Sequence, residues 1–185
     1  KELEVETRAL STLLKLIGHH PRMRHSPGRL VFASSAGAIY ADSSDQVICE
    51  ASAIAPSTAY AQAKLQQEAL LGEFQQQHPS VNLLLARLST IYGPGQALGK
   101  QQGLIAMIAR KMLRNQIIHI YVPFDTLRDY IAVDDASAMM IRTSNAMPDG
   151  GGQHLRIIAA GQPTSIAQII QTFRRVARHP PKIAL

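Results

Sequence analysis

Apolar residues recur along the chain with two alternating patterns, one typical of helices and one of buried strands. Leu3, Leu10 and Leu14 recur at helical spacing and predict a helix over residues 2–17. The run 29–34 (RLVFAS) is short, apolar and contains β-branched and aromatic residues, so it predicts a buried strand. The same two patterns predict helices at 57–77, 104–115 and 134–145, and a last helix that begins at a cap on Thr164 or Ser165 and ends near residue 177. They also predict strands at 81–88, 116–121 and 154–159, and a short extended segment at 129–133.

This alternation of helices and apolar strands predicts an α/β layered fold with a mainly parallel sheet. Long connections separate some of the elements, at 35–56 and at the Gly- and Pro-rich segment 90–103. Because ligands of parallel α/β sheets bind at the carboxyl ends of the strands, the loops that follow 29–34 and 81–88 are candidate binding loops.

Composition narrows the class of protein without naming a function. The chain has 185 residues, 46% of them hydrophobic, which suits a globular domain with a substantial core, and it has no apolar run long enough to predict a membrane span. Its one cysteine, Cys49, excludes an internal disulfide and fits a reducing compartment. The histidines are scattered, so no metal site is predicted.

A net charge of +6 could attract nucleic acid or anionic small molecules such as nucleotides. The chain has no Trp, only 5% aromatic residues, and basic residues that do not form one block. A generic basic surface is therefore a better interpretation than a nucleic-acid site.

Tyr60 and Lys64 are the first candidates for chemistry. They lie four residues apart within the predicted helix 57–77, so their side chains share one face. A nearby ammonium lowers the pKa of a phenol, which would suit proton transfer to or from a hydroxyl or carbonyl substrate. The alternative is a tyrosine that packs by its ring beside a lysine that points to water.

Four further candidate residues lie at or near strand ends. The hydroxyls of Ser34 and Ser35 could bind a substrate oxygen, or they could satisfy backbone groups in a turn. Arg87 is a permanent cation at the start of a loop whose glycines would allow a bulky ligand to approach, although the loop could also be an ordinary turn. Arg128 could bind a phosphate, or it could pair with a neighbouring aspartate, Asp125 or Asp129.

Together these segments resemble the extended short-chain dehydrogenase/reductase family, and within it the NAD-dependent epimerases and dehydratases of nucleotide sugars. The matching segments are RLVFASSAGAIYAD, AYAQAK, ARLSTIYGPGQ and LRDYIAVDDAS, in the family's order. Ser35 precedes Tyr60 by a spacing that suits the family. The resemblance implies a Rossmann-like sheet over 1–98, with the catalytic residues, and a substrate-binding portion over 99–185 that is interleaved with the last Rossmann elements.

The resemblance also implies roles for individual residues. Tyr60 is the expected acid/base, and Lys64 is expected to lower the Tyr60 pKa and hold the nicotinamide ribose of NAD, with NADP as the alternative cofactor. Ser35 is expected to orient the substrate oxygen, with Ser34 as the alternative hydroxyl near the cofactor. The backbone of Ser89 is expected to touch the nicotinamide end.

On the substrate side, Arg128 matches an arginine that binds the diphosphate of the nucleotide sugar. Thr90 stands where many relatives have an asparagine that faces the sugar diphosphate. Glu6 or Thr7 stands where relatives have a structural asparagine in the first helix. These two departures leave the substrate contact and a proton relay less well defined.

The reaction implied is transient oxidation of the sugar followed by return of the hydride. Ala36 and Gly37 follow Ser35 without an acidic residue, which favours an epimerase or simple oxidoreductase over a dehydratase. The alternatives are an NAD(P)-dependent reductase or dehydrogenase of another carbonyl substrate, and a non-catalytic fragment that dimerises. The resemblance further implies a cytoplasmic protein, and a homodimer formed through helices 2–17 and 57–77.

The glycine-rich dinucleotide fingerprint is not found in the sequence. The glycines at 150–152 precede a strand instead of opening a helix. The sequence therefore predicts a chain that lacks the first strands of the family's fold and binds NAD weakly by itself.

Overall fold

The computed structural model describes residues 2–25, 28–96 and 103–184. The chain divides into two compact units. The first is built from the residues up to Ser89 together with Ser137–Ile158, and the second from Thr90–Ala136 together with the residues from Ala159 onward. The boundary that the sequence predicted at 98/99 falls within 97–102, outside the described residues.

The first unit is a three-stranded parallel sheet flanked by helices. Its strands are β1, β2 and β6, in that order, with β2 in the centre. The elements of this unit are α1 (Glu2–His19), α2 (Arg22–His25), β1 (Arg29–Ser35), α3 (Ala36–Ile39), α4 (Ala59–Gln77), β2 (Asn82–Leu88), most of α6 (Val133–Ala146) and β6 (Gly152–Ile158). This arrangement confirms the predicted α/β class with a mainly parallel sheet.

The core of the first unit lies between the sheet and the two long helices. Strand β2 is buried along nearly its whole length, which explains why it reads as a continuous apolar run and not as an alternating one. Helices α1 and α4 pack against the sheet through Leu14, Leu71 and Phe74, which form one cluster with Val81 and Leu83. The packing fixes α4, the helix that carries Tyr60 and Lys64, over the central strand.

The second unit contains two small sheets. Strand β3 pairs in parallel with β5, which pairs antiparallel with β7, and β4 pairs in parallel with β8. Its elements are β3 (Thr90–Tyr92), α5 (Leu104–Leu113), β4 (Ile118–His119), β5 (Leu127–Ala132), the start of α6, β7 (Pro163–Ser165), α7 (Ile166–Val176) and β8 (Ile183–Ala184). An isoleucine-rich cluster that joins α5, β4 and α7 forms the core of this unit.

Segments 90–92 and 35–56 are among those that differ from the sequence-based expectation. Residues 90–92, predicted as the start of a loop, form strand β3, because Thr-Ile-Tyr is a short β-favouring run that finds a partner in β5. The rest of that loop includes 97–102, outside the described residues. The long connection 35–56 begins with the short helix α3, and a side chain later in it, Glu50, accepts the backbone N–H of Ile157 at 2.9 Å. This hydrogen bond lowers the Glu50 pKa and ties the connection to β6.

Within the described residues, none of the helices combines the length and the apolar character needed to cross a membrane.

Helix α4 begins with a side-chain cap. The hydroxyl of Thr58, two residues before Tyr60, accepts the backbone N–H of Ala61 at 3.1 Å and so satisfies one of the N–H groups of the first turn. We expect Thr58→Ala to lower the free energy of unfolding by about 1 kcal/mol, because the first turn then loses a partner for one of its N–H groups. The measurement is chemical denaturation followed by circular dichroism.

The matched control is Thr12→Ala in the interior of α1, where the threonine hydroxyl donates to the Arg8 carbonyl, an acceptor that the helix already uses. This change should cost nothing, because alanine has the higher helix propensity. Equal losses in the two variants would contradict a capping role for Thr58.

Candidate active site

The carboxyl ends of the three parallel strands of the first unit lie level with one another. Ser35 of β1 pairs in register with Leu88 of β2, which pairs with Ile158 of β6. The residues that follow these positions therefore emerge along one edge of the sheet. Tyr60, in the first turn of α4, is the aromatic hydroxyl that the structure brings to Ser35.

The Ser35 side chain lies close enough to the Tyr60 phenol to act on its pKa, and the Tyr60 side chain is about half-buried, with 43% of the residue exposed. Burial raises the pKa of Tyr60 above its ordinary value because it disfavours the phenolate. The interaction with Ser35 acts in the opposite direction, and the carboxylate of Glu6 adds to the increase. Of the two candidate serines, Ser35 is thus the one in contact with the phenol.

Lys64 lies one turn after Tyr60, as the sequence predicted, but its ammonium has its own contacts. The Nζ atom donates to the Ala33 carbonyl at 3.3 Å and lies 4.8 Å from the centre of the Phe32 ring and 5.8 Å from that of Tyr60. Burial lowers the Lys64 pKa, while Glu6 and Glu68 oppose that decrease.

The expectation that Lys64 lowers the Tyr60 pKa stays a prediction. The net shift of the Tyr60 pKa is upward, because desolvation of the half-buried phenol is its largest cause. The Lys64 ammonium lies beside the phenol ring and is held by the Ala33 carbonyl.

Ser34 and Arg87 belong to a buried polar network. Ser34 is 3% exposed, and its hydroxyl donates to Glu68 Oε1 at 2.5 Å. Arg87 donates to both carboxylate oxygens of Glu68, at 3.0 and 2.7 Å, and through its third nitrogen to the hydroxyl of Tyr40. Arg87, interpreted from the sequence as a cation for a ligand loop, is thus an internal ion-pair partner.

Ser89 follows the end of β2. Its backbone N–H donates to the Ile158 carbonyl at 2.9 Å and so continues the pairing of β2 with β6. Its hydroxyl oxygen is buried and has no hydrogen-bond partner among the described residues. A buried hydroxyl without a partner at this edge is an available contact for a bound molecule.

Thr90 and Arg128, the two predicted substrate contacts, belong to the second unit. Thr90 pairs in register with Tyr130, and Arg128 pairs with Thr164, so the alternation of side chains along β5 places all four on one face of the small sheet. Tyr130 is partly buried; burial raises its pKa, and the neighbouring Arg128 moderates the increase.

The alternative interpretation of Arg128 was an ion pair with a neighbouring aspartate. Asp129 instead accepts the backbone N–H groups of Ala160 and Gln162, at 2.9 and 3.0 Å. Within the part of the chain that the structure describes, Arg128 forms no ion pair. Its exposed guanidinium keeps its donors for other partners.

Two acidic residues act on this site, and one of them, Glu68, was missed from the sequence. Glu68 is four residues after Lys64 and therefore continues the face that Tyr60 and Lys64 share, a signal that helical spacing provides. Glu6 acts on both Tyr60 and Lys64 from another helix, and no spacing rule relates α1 to α4. Among the described residues, no cluster of His, Cys, Asp or Glu could hold a metal ion.

Comparison with known proteins shows which family this chain resembles in sequence. Residues 3–157 match the model of the NAD dependent epimerase/dehydratase family. Over 125 residues the chain is 30% identical to the dTDP-L-rhamnose 4-epimerase of Burkholderia thailandensis, and over 146 residues it is 28% identical to the dTDP-4-dehydro-6-deoxyglucose reductase of Escherichia coli. The matched regions cover 67% and 78% of this chain but only 33% and 44% of those relatives, so the chain spans less than half their length.

Solved structures agree with the fold. The UDP-glucose 4-epimerase of Thermotoga maritima, solved with UDP-glucose, superposes with a TM-score of 0.71 at 25% identity, over 88% of this chain and 52% of that protein. MoeE5, solved with UDP-glucuronic acid and NAD, superposes with a TM-score of 0.78 at 24% identity, over 95% of this chain and 55% of that protein.

The family match covers most of the chain, and it includes the strand ends and the helix that carry Ser35, Tyr60 and Lys64. The chain belongs to the NAD dependent epimerase/dehydratase family.

Proposed function

We propose that the protein to which this chain belongs is an NAD-dependent epimerase of a nucleotide sugar, and that Ser35, Tyr60 and Lys64 carry its chemistry. The observation that supports this most directly is that Ser35, at the carboxyl end of a parallel strand, interacts with the Tyr60 phenol, with Lys64 one turn along the same helix. A hydroxyl pair at a strand end is suited to a substrate oxygen that must lose and regain a proton.

The residues of the first unit fit the nicotinamide half of the cofactor. Lys64 uses one of its three donors for the Ala33 carbonyl, which leaves donors for a ribose hydroxyl. Ser89 offers a buried hydroxyl without a partner among the described residues at the same edge of the sheet. NAD, when bound, supplies the acceptor and donor of the hydride, and the protein supplies position and proton transfer. NADP would make the same contacts with these residues.

Tyr60 exchanges the proton in this proposal. In its phenolate form it accepts the proton of the substrate hydroxyl as the hydride leaves carbon, and it returns the proton when the hydride comes back to the opposite face. Ser35 donates to the substrate oxygen and holds it beside the phenol. Because Ala36 and Gly37 place no acid after Ser35, the site has no obvious group for the loss of water.

The second unit supplies the contacts to the nucleotide sugar in this proposal. Arg128 has a planar guanidinium, free of ion pairs within the described residues, that can bind a diphosphate bidentately. Thr90 has a hydroxyl on the same face of the small sheet. The second candidate function is the reduction of a related nucleotide sugar, because one of the similar proteins is a reductase of such a sugar.

We also infer a cytoplasmic homodimer that forms through α1 and α4. A groove of about 620 Å³ lies between these helices and is lined by residues of both. Its lining includes small and uncharged residues such as Ser11, Ala59 and Ala63, which would allow two helices of a second copy to approach closely. The exposed thiol of Cys49 fits a reducing compartment.

The first prediction from this proposal concerns turnover. Tyr60→Phe should reduce kcat for a nucleotide sugar by a factor on the order of 10² to 10⁴, because the group that exchanges the proton is lost. The assay follows the epimeric products of a panel of UDP-, dTDP- and GDP-sugars with NAD, using the full-length gene product. The control is Tyr121→Phe, the same change at a residue that is 88% exposed. Full activity of Tyr60→Phe would exclude Tyr60 as the acid/base.

The second prediction concerns the titration of Tyr60. Its pKa should lie above the ordinary phenol value in the protein without cofactor, because burial dominates. Ser35→Ala should raise it further, Glu6→Gln should lower it, and Lys64→Met should change it less than Ser35→Ala does. The measurement is NMR of [¹³Cζ]tyrosine-labelled protein, with the Tyr60 signal assigned by its loss in Tyr60→Phe. A larger increase in Lys64→Met than in Ser35→Ala would restore Lys64 as the dominant influence.

The third prediction concerns assembly. Ser11→Arg places a long charged side chain in the groove between α1 and α4 and should weaken the dimer by at least about tenfold in Kd, because the charge would lose water in the interface. The control is Thr12→Arg, the adjacent exposed residue of α1, which does not line the groove. Sedimentation equilibrium of both variants against the parent gives the Kd values. A dimer equally strong in all three proteins would place the interface elsewhere.

A further inference from the structure

The ion pair between Glu68 and Arg87 is the most completely buried charged contact among the described residues, and the proposed chemistry does not use it. Each side chain is 8% exposed, and the two are joined by a two-pronged contact through both carboxylate oxygens. Two neutral hydroxyls complete it, that of Ser34 on the carboxylate and that of Tyr40 on the guanidinium.

The four residues of this network come from four different elements. Ser34 lies in β1, Tyr40 ends α3, Glu68 lies in α4 and Arg87 lies in β2. Ser34 and Arg87 face each other in the β1–β2 register, so Glu68 reaches a fixed pair of positions across two strands. The network therefore sets where α4 sits along the sheet.

The same elements hold the proposed catalytic groups. Ser35 is the neighbour of Ser34 in β1, and Tyr60 and Lys64 lie two turns and one turn before Glu68 on the same face of α4. Lys64 is close enough to Glu68 for the carboxylate to influence its titration. A shift of α4 along the sheet would thus move Tyr60 relative to Ser35.

Stability alone does not explain such a pair. Removing two charges from water costs several kcal/mol for each ion, and well-packed apolar side chains of similar volume are often as stable or more so. What apolar side chains do not provide is direction: the planar guanidinium donates to both oxygens of a carboxylate in one geometry.

We propose that Glu68 and Arg87, together with Ser34 and Tyr40, are positioning residues that hold α4 in register with β1 and so keep the Tyr60 phenol in contact with the Ser35 hydroxyl. The consequence for turnover rests on the proposed function. The consequence for the Tyr60–Ser35 contact does not, and it can be measured without any substrate.

The test uses the full-length gene product with Glu68→Leu and Arg87→Met combined. This double variant removes one negative and one positive charge, so the net charge is unchanged, and it replaces both side chains by apolar ones of similar length. We expect Tm to stay near that of the parent. We expect the Tyr60 pKa, followed by [¹³Cζ]tyrosine NMR, to rise by about half a unit or more, because the phenol loses the stabilising interaction with Ser35.

A single variant, Glu68→Gln, is compared with the control Glu73→Gln. Glu73 is an exposed residue five positions later on the same helix. Glu68→Gln should lower kcat about 10- to 100-fold with little change in KM, the size expected when reacting groups are displaced by about 1 Å. Glu73→Gln should leave kcat, KM and the Tyr60 pKa as in the parent.

The proposal is overturned if the double variant folds and Tyr60 titrates as in the parent. If the double variant does not fold, Ser34→Ala and Tyr40→Phe decide, because each removes one neutral hydroxyl from the network and keeps the ion pair. An increase of the Tyr60 pKa in both supports the proposal, and an unchanged pKa in both overturns it. Absence of turnover in the parent would count against the epimerase proposal, while the titration would still decide this inference.

Discussion

A buried carboxylate needs a partner of opposite charge, and in this chain the ion pair that meets this need joins the sheet to helix α4. Glu68 lies on the inner side of α4, where it is 7% exposed, and Arg87 of the central strand meets it with two hydrogen bonds. Leaving either charge without the other would cost several kcal/mol. The chain can satisfy both only with α4 at one position along β1 and β2, and that position brings Tyr60 to Ser35.

Much of the fold could be predicted from periodicity because the elements that matter have strong patterns. The buried strand β2 reads as an unbroken apolar run, and α4 has clear length and a cap. Strand β3 could not be predicted in the same way: three residues before a Gly-Pro-Gly segment carry too little pattern, and their structure depends on β5, which lies far along the chain. Local preference identifies an element only when the element is long enough to express it.

In the candidate site too, some features follow from local sequence patterns and others depend on contacts between distant residues. The proximity of Tyr60 and Lys64 follows from helical spacing, and that of Ser35 follows from its place at a strand end. Which of two adjacent serines meets the phenol depends on how the strand alternates against α4, and Ser34 is the one directed to Glu68. The role of Arg87 was ambiguous for a similar reason. The sequence of a cation before a loop is the same whether its partner is a ligand or an internal carboxylate.

The titration behaviour of the site shows why pairwise reasoning from sequence reaches a limit. A lysine four residues from a tyrosine suggests a simple attraction that favours phenolate, yet burial acts on both groups and favours the neutral form of each. It raises the Tyr60 pKa and lowers the Lys64 pKa, so the two values move in the direction that disfavours a phenolate beside an ammonium. Phenolate at this position therefore depends on its neighbours, and Ser35 is the neighbour whose interaction lowers the Tyr60 pKa. The geometry of the Ser35 contact, and not the charge of Lys64 alone, then governs how readily Tyr60 gives up its proton, which is why the elements that fix that contact matter for the chemistry.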